Sequence, residues 1–180
     1  MGLKERAKLF RELMRPGDII LSRNPRGKLN RIIRWVTGKR WREALVDHAA
    51  MVGVEGTLIE AVGGGVEIGL YTDRYRKYEI WCRVMLPDDV KLKACEWARD
   101  QVGKAYDALQ LPGILLAKIF HKKKALFDDP NKFVCSELIA EAYEKGAGVK
   151  LVERKHESVI TPQDLFEAEL TNPVKVWIEV

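Results

Sequence analysis

A chain of 180 residues with 47% hydrophobic and 32% charged residues has the size and composition of one globular domain with a full core. Its 31 Lys and Arg outnumber 26 Asp and Glu, for a net charge of +5. Nothing in it reads as a disordered tail or a repeat. The three cysteines, Cys82, Cys95 and Cys135, are odd in number, widely spaced and without a CxxC pair, which argues against a disulfide framework and against a zinc site. No metal or cofactor is expected.

Met1 to Arg15 is predicted as a charged amphipathic helix and not as an apolar leader, so a cytoplasmic protein is expected. Arg15-Pro16-Gly17-Asp18 is a turn into a short strand, Ile19 to Ser22. Leu29, Ile32, Ile33 and Val36 mark a helix ending near Gly38, and Trp41 to Leu45 a loop. Between Arg23 and Arg42 stand eight basic residues and no acid (Arg23, Arg26, Lys28, Arg31, Arg34, Lys39, Arg40, Arg42). That surface is either a solvated helix face or a site for an acidic partner; no nucleic-acid motif accompanies it, and nucleic acid is not expected as a partner.

Val46 to Gly53 reads as a strand with Val46, His48, Ala50 and Val52 on one face. Thr57 to Val62 is a second strand, with Leu58, Glu60 and Val62 on one face. If Val54-Glu55-Gly56 is a three-residue hairpin with Gly56 left-handed, Val52 pairs with Leu58, Ala50 with Glu60 and His48 with Val62. His48 and Glu60 then become diagonal neighbours on one face; a two-residue loop puts them on opposite faces. An ionisable pair on an apolar face needs a reason, because a lone buried charge is costly. It is either a self-satisfied structural pair or the base and orienting acid of a nucleophilic site.

Gly63-Gly64-Gly65 bends the chain into another strand with Val66, Ile68 and Leu70. It is not a phosphate loop, since no GK[ST] follows. Tyr78 to Leu86 alternates as a strand, with Cys82 in the core. Asp89 to Val102 is a helix stopped by Gly103, with Cys95 packing inward. Leu109 to Phe120 is apolar but short and broken by Pro112 and Lys118, and Lys122-Lys123-Lys124 follow it. This is either an ordinary core helix with a basic end or a patch that rests on an anionic membrane surface.

Asp129 to Gly146 reads as one helix, with Asp129 or Asn131 as cap, Pro130 in the first turn and Gly146 or Gly148 as stop. Cys135, Leu138, Ile139, Ala142 and Tyr143 share its apolar face. Cys135 lies in the first turn, where the amide dipoles favour thiolate over thiol. A nucleophile fits that position, and so does a structural cysteine, since free Cys is a common core residue. Thr161 caps a last short helix, and Val174 to Val180 closes the sheet as an edge strand.

Three stretches taken together, Asp47-His48-Ala49-Ala50-Met51-Val52, Leu58-Ile59-Glu60-Ala61 and Phe133-Val134-Cys135-Ser136-Glu137-Leu138-Ile139, resemble the circularly permuted papain-like hydrolases. Within that superfamily the resemblance is to the YiiX-like branch of the NlpC-type cysteine peptidases and amidases. Gly17-Asp18-Ile19-Ile20-Leu21 and Gly103-Lys104-Ala105-Tyr106-Asp107 fit the same pattern. The likeness runs through residues 16–166 of a single domain of residues 1–180, framed by the helix at 1–15 and the edge strand at 174–180. It implies an α+β fold, a mixed, mainly antiparallel sheet packed with helices. It implies Cys135 as nucleophile, His48 as base and Glu60 as the group that orients the imidazole. Tyr106 and Ser136 are the implied substrate contacts, and Asp107 a structural partner. His121 and His156, in charged surroundings, are expected on the surface. The chain order histidine, acid, cysteine is no obstacle, because a triad is defined by geometry and role.

The substrate that follows from the resemblance is an amide bond of peptide or cell-wall type. A related permuted group resembling lecithin:retinol acyltransferase acts on lipid acyl esters instead. A non-catalytic module using the Arg23 to Arg42 surface is the remaining alternative.

Overall fold

The computed structural model describes residues 2–23, 46–62, 64–74, 76–106, 132–133, 135–153 and 160–178, with the backbone alone at 105–106, 132–133 and 178. The expected helix over 29–38, the loop at 41–45, Asp107, the apolar segment 109–120, the lysines at 122–124, His121 and His156 lie outside the described residues.

Six strands form one antiparallel sheet. In chain order these are β1 (Ile19–Arg23), β2 (His48–Val52), β3 (Thr57–Val62), β4 (Gly65–Leu70), β5 (Tyr78–Val84) and, last in the chain, β8 (Thr171–Ile178). Their spatial order is β4-β3-β2-β1-β5-β8. The closing strand takes the edge, as expected, but begins at Thr171 and not at Val174. Pro173 is tolerated there because an edge strand has an unpaired side, and the register shifts between its partners Trp81 and Cys82. β6 (Ala105–Tyr106) and β7 (Lys132–Phe133) form a separate parallel pair.

Helices cover both faces. The first, α1 (Leu3–Leu13), buries Ala7 and Phe10 against Ile20, Ala50, Val52, Leu58, Trp81 and Tyr71. The opposite face, with Ile19, Leu21, Ala49, Met51, Ile59, Ala61 and Cys82, packs on two helices. These are α3 (Asp88–Asp100), which supplies Ala94, Cys95 and Ala98, and α4 (Cys135–Glu141), which supplies Leu138 and Ile139. A single helical turn, α2 (Tyr71–Arg74), joins β4 to the chain leading into β5, and α5 (Pro162–Glu167) precedes β8. Thr161 caps α5 in a reciprocal box with Asp164, whose amide reaches the Thr161 hydroxyl at 3.2 Å.

The helix expected from Asp129 begins later. Lys132 and Phe133 are β-strand, and α4 starts at Cys135 itself. A cap signal at Asp129 and a proline at 130 are local cues, whereas the pairing of Lys132-Phe133 with Ala105-Tyr106 is a contact between distant segments that local cues do not carry. The helix then widens into a π turn, Ala142–Gly146. Gly148, at φ +71°, makes the left-handed stop. Gly146 serves a different need, since a Cβ there would meet Trp97 Cβ at 2.6 Å, so it lets α3 approach. Tyr143 donates its hydroxyl to the Gly17 carbonyl at 2.6 Å, tying the π turn to the start of β1.

An unexpected feature is the charge buried under α1. Arg6 is 2% exposed and Glu79 1%. The guanidinium meets Glu79 Oε2 at 2.8 Å and Tyr71 Oη at 2.7 Å, while Tyr71 and Trp81 both donate to Glu79 at 2.9 Å. Such a pair is tolerable in a core because every partner is hydrogen-bonded. It anchors the first helix to β5, one strand in from the edge of the sheet.

Candidate active site

The turn between β2 and β3 decides whether His48 and Glu60 meet. Glu55 and Gly56 both adopt positive φ, +56° and +75°, and Gly53 donates to the Thr57 carbonyl at 2.8 Å. A three-residue connection of this kind gives the register Met51 opposite Ile59 and Val52 opposite Leu58. Continuing that register sets Ala50 opposite Glu60, with His48 one same-face position further on. The diagonal gap is closed by the side chains: His48 Nε2 lies 2.6 Å from Glu60 Oε2.

Glu60 is 2% exposed and His48 only partly exposed. Burial of Glu60 opposes its charge, but the hydrogen bond and charge of His48, followed by the charges of Arg76 and Arg74, hold its carboxyl below the usual range. Arg74 Nη1 stands 3.5 Å from Glu60 Oε1.

His48 opens β2 and Cys135 opens α4, and the two side chains interact. Burial disfavours the charged ring. The charge and hydrogen bond of Cys135, then those of Glu60, outweigh it and raise the His48 pKa from 6.5 to about 10. With Nε2 given to Glu60, Nδ1 is the ring nitrogen left for sulfur. The sulfur, the imidazole and the carboxylate therefore form one connected line, in which sulfur and carboxylate both favour the imidazolium.

The other two expected site residues fare differently. Ser136 is 1% exposed and donates its hydroxyl to the Ile160 carbonyl at 2.7 Å. That bond tethers α4 to the segment before α5 and gives the one O–H of Ser136 to a buried acceptor. The backbone of Tyr106 pairs with Phe133, two residues before Cys135, while its side chain lies outside the described residues. Cys82 and Cys95 are free and buried. Burial pushes the Cys82 thiol up to about 12, and burial also raises Cys95.

Sequence reasoning missed Arg74 and the single turn that carries it. Four residues are too few to show a helical period. The usable signal was Gly69 inside a strand pattern, which marks a close approach by another group.

No family model matches the chain, and no curated protein matches it. Among solved structures it is similar to the crystal structure of metalloprotein yiiX from Escherichia coli O157:H7, assigned to DUF1105. That likeness has a TM-score of 0.64 at 18% identity and covers 92% of this chain and 98% of the other. The chain thus has a YiiX-like α+β fold along nearly its whole length. No helix of the described residues is long and apolar enough to cross a membrane.

Proposed function

We propose that this protein is a thiol hydrolase that cleaves amide bonds of a peptide or cell-wall-type substrate through an acyl-enzyme on Cys135. The observation that carries the reading is the line from Cys135 through His48 to Glu60, with 2.6 Å between His48 Nε2 and Glu60 Oε2. A charged imidazole held between a sulfur and a buried carboxylate is what a nucleophile, base and orienter require.

The Cys135 thiolate attacks the carbonyl carbon and forms a C–S bond, and the carbonyl electron pair moves to oxygen. The backbone N–H of Cys135, at the open start of α4, donates to that oxyanion. His48 then gives its proton to the leaving amine as the C–N bond breaks. In the second half His48 takes a proton from water, the resulting hydroxide displaces sulfur, and the acid departs with the thiolate–imidazolium pair restored. Glu60 is not protonated in this cycle; it fixes the ring orientation and stabilises its positive charge.

The neighbouring structure is called a metalloprotein. In this chain, no group of three or more His, Cys, Asp and Glu side chains among the described residues is placed to hold a metal ion, and His48 Nε2 is already engaged by Glu60. That donor set does not fit a resident metal, and no step is routed through one.

The test is mass spectrometry of the protein after incubation with a panel of amide and ester electrophiles. The expected result is an acyl adduct on Cys135 that is lost in Cys135→Ala. Adducts spread evenly over Cys82, Cys95 and Cys135, or none at all, overturn the proposal. Preference within the panel separates peptide-type amides from lipid esters.

A further inference from the structure

We infer that Arg74, seated over Gly69 and pinned by Glu67, is a positioning residue that keeps the buried Glu60 carboxylate ionised against His48. The inference rests on the hydrolase reading above and adds a fourth member to the line. Three observations place it. Glu60 Oε1 is buried and accepts no hydrogen bond among the described residues, while Oε2 is given to His48. Arg74 Nη1 stands 3.5 Å from that open oxygen, and its Nη2 is held by Glu67 Oε2 at 2.6 Å. Glu67 faces Glu60 directly across β3 and β4, so one guanidinium spans two carboxylates that would otherwise repel each other on one face.

The seat for that guanidinium is specific. A Cβ at Gly69 would lie 2.5 Å from Arg74 Nε and 3.3 Å from Cζ. The strand gives up a side chain at that position and the arginine occupies the space. Glycine weakens a strand interior, so its use here is consistent with close packing by another group. The 3.5 Å separation is longer than a hydrogen bond, so Arg74 contributes charge without competing with His48 for the carboxylate.

Among the described residues, the groups that face Glu60 are His48 on β2, Glu67 on β4, Arg74 on α2 and Arg76 just beyond it, with Cys135 on α4 acting on the far side of the imidazole. Arg76 also bears on Glu60, so loss of Arg74 removes part of the cationic support and not all of it. Removing that part raises the pH at which Glu60 protonates. Once Glu60 is neutral the imidazolium loses its partner, and the acid limb of Cys135 reactivity follows.

The direct experiment is a ¹³C NMR titration of the Glu60 side-chain carboxyl in the wild type, R74Q, R74K and G69A. The acid limb of iodoacetamide alkylation at Cys135 is recorded in parallel. The expected result is an upward shift of the Glu60 midpoint in R74Q by about half a pH unit or more, which is roughly a threefold change in proton affinity. R74K restores most of it. G69A reproduces the shift with the charge retained, because the added methyl displaces the guanidinium. A Glu60 midpoint that stays put in both R74Q and G69A, with only thermal stability reduced, overturns the inference and leaves Arg74 as a clip between α2 and β4. The carboxyl titration answers this whether or not Cys135 is reactive. If the midpoint moves while Cys135 alkylates no faster than Cys82 and Cys95, it is the hydrolase reading that fails.

Discussion

His48 and Glu60 stand on adjacent antiparallel strands, one same-face step off direct opposition, and their side chains meet at 2.6 Å. The contact depends on the length of the turn at residues 54–56. One residue fewer in that turn would send the two groups to opposite faces of the sheet.

Glu60→Gln tests the carboxylate's role. Glutamine keeps a hydrogen-bonding group but removes the charge, so the His48 pKa is expected to fall from about 10 by the part that Glu60 supplies, while the larger part from Cys135 remains. Alkylation of Cys135 at pH 6 is expected to slow about tenfold or more, since each pKa unit corresponds to a factor of about ten. An unchanged rate, with the His48 midpoint measured by NMR also unchanged, would reduce the pair to a structural contact.

The same shift has a stability consequence. His48 has its folded pKa raised above 6.5, so its contribution is fully present below about pH 6.5 and is lost as pH rises through about 10. Glu60 has its pKa lowered from 4.5, so its contribution is present above 4.5 and is lost as pH falls through its folded value. Denaturant melts of the wild type and His48→Asn at pH 6, 8 and 10 check the first statement. The gap between the two proteins should narrow across that range; a constant gap contradicts it.

Glu79→Gln addresses the buried charge under α1. It would leave the Arg6 guanidinium without its anionic partner in a site where both residues are nearly inaccessible. Loss of one member of such a pair costs about 3–5 kcal/mol. A urea melt should register that loss, while folded variant retains the wild-type alkylation rate at Cys135. A loss under about 1 kcal/mol would mean water reaches the pair.

Gly146→Ala probes how α4 is held. The new methyl would press on Trp97 Cβ at 2.6 Å and the Lys93 carbonyl at 3.0 Å. Neither is the loose end of a side chain, so overpacking of about 1–3 kcal/mol is expected in a thermal or urea melt. A neutral result would show that the π turn shifts freely away from α3.

The hairpin register and the His48–Glu60 pairing were legible in the sequence because a glycine at 56 in a three-residue turn constrains both strands locally. The caps at Thr161 and the strands through Cys82 were legible for the same reason: period and punctuation are local. The start of α4 was not. Capping residues at 129–131 suggested an earlier beginning, and the pairing of Lys132-Phe133 with Ala105-Tyr106 joins segments that are distant along the chain. The Ser136 hydroxyl is given to the Ile160 carbonyl, 24 residues away, a partner that no local cue names. Arg6 read as one charge on an amphipathic helix; its partner Glu79 is 73 residues distant. Each of these depends on which remote group arrives, and that is a property of the packed chain.

Cysteine-resolved iodoacetamide alkylation at pH 6 reads directly whether the imidazole beside Cys135 activates its thiol. Cys135 is expected to react at least about tenfold faster than Cys82 and Cys95, whose thiols burial holds protonated, and His48→Asn to abolish the difference. Equal rates at the three cysteines, or a Cys135 rate indifferent to His48, would contradict it.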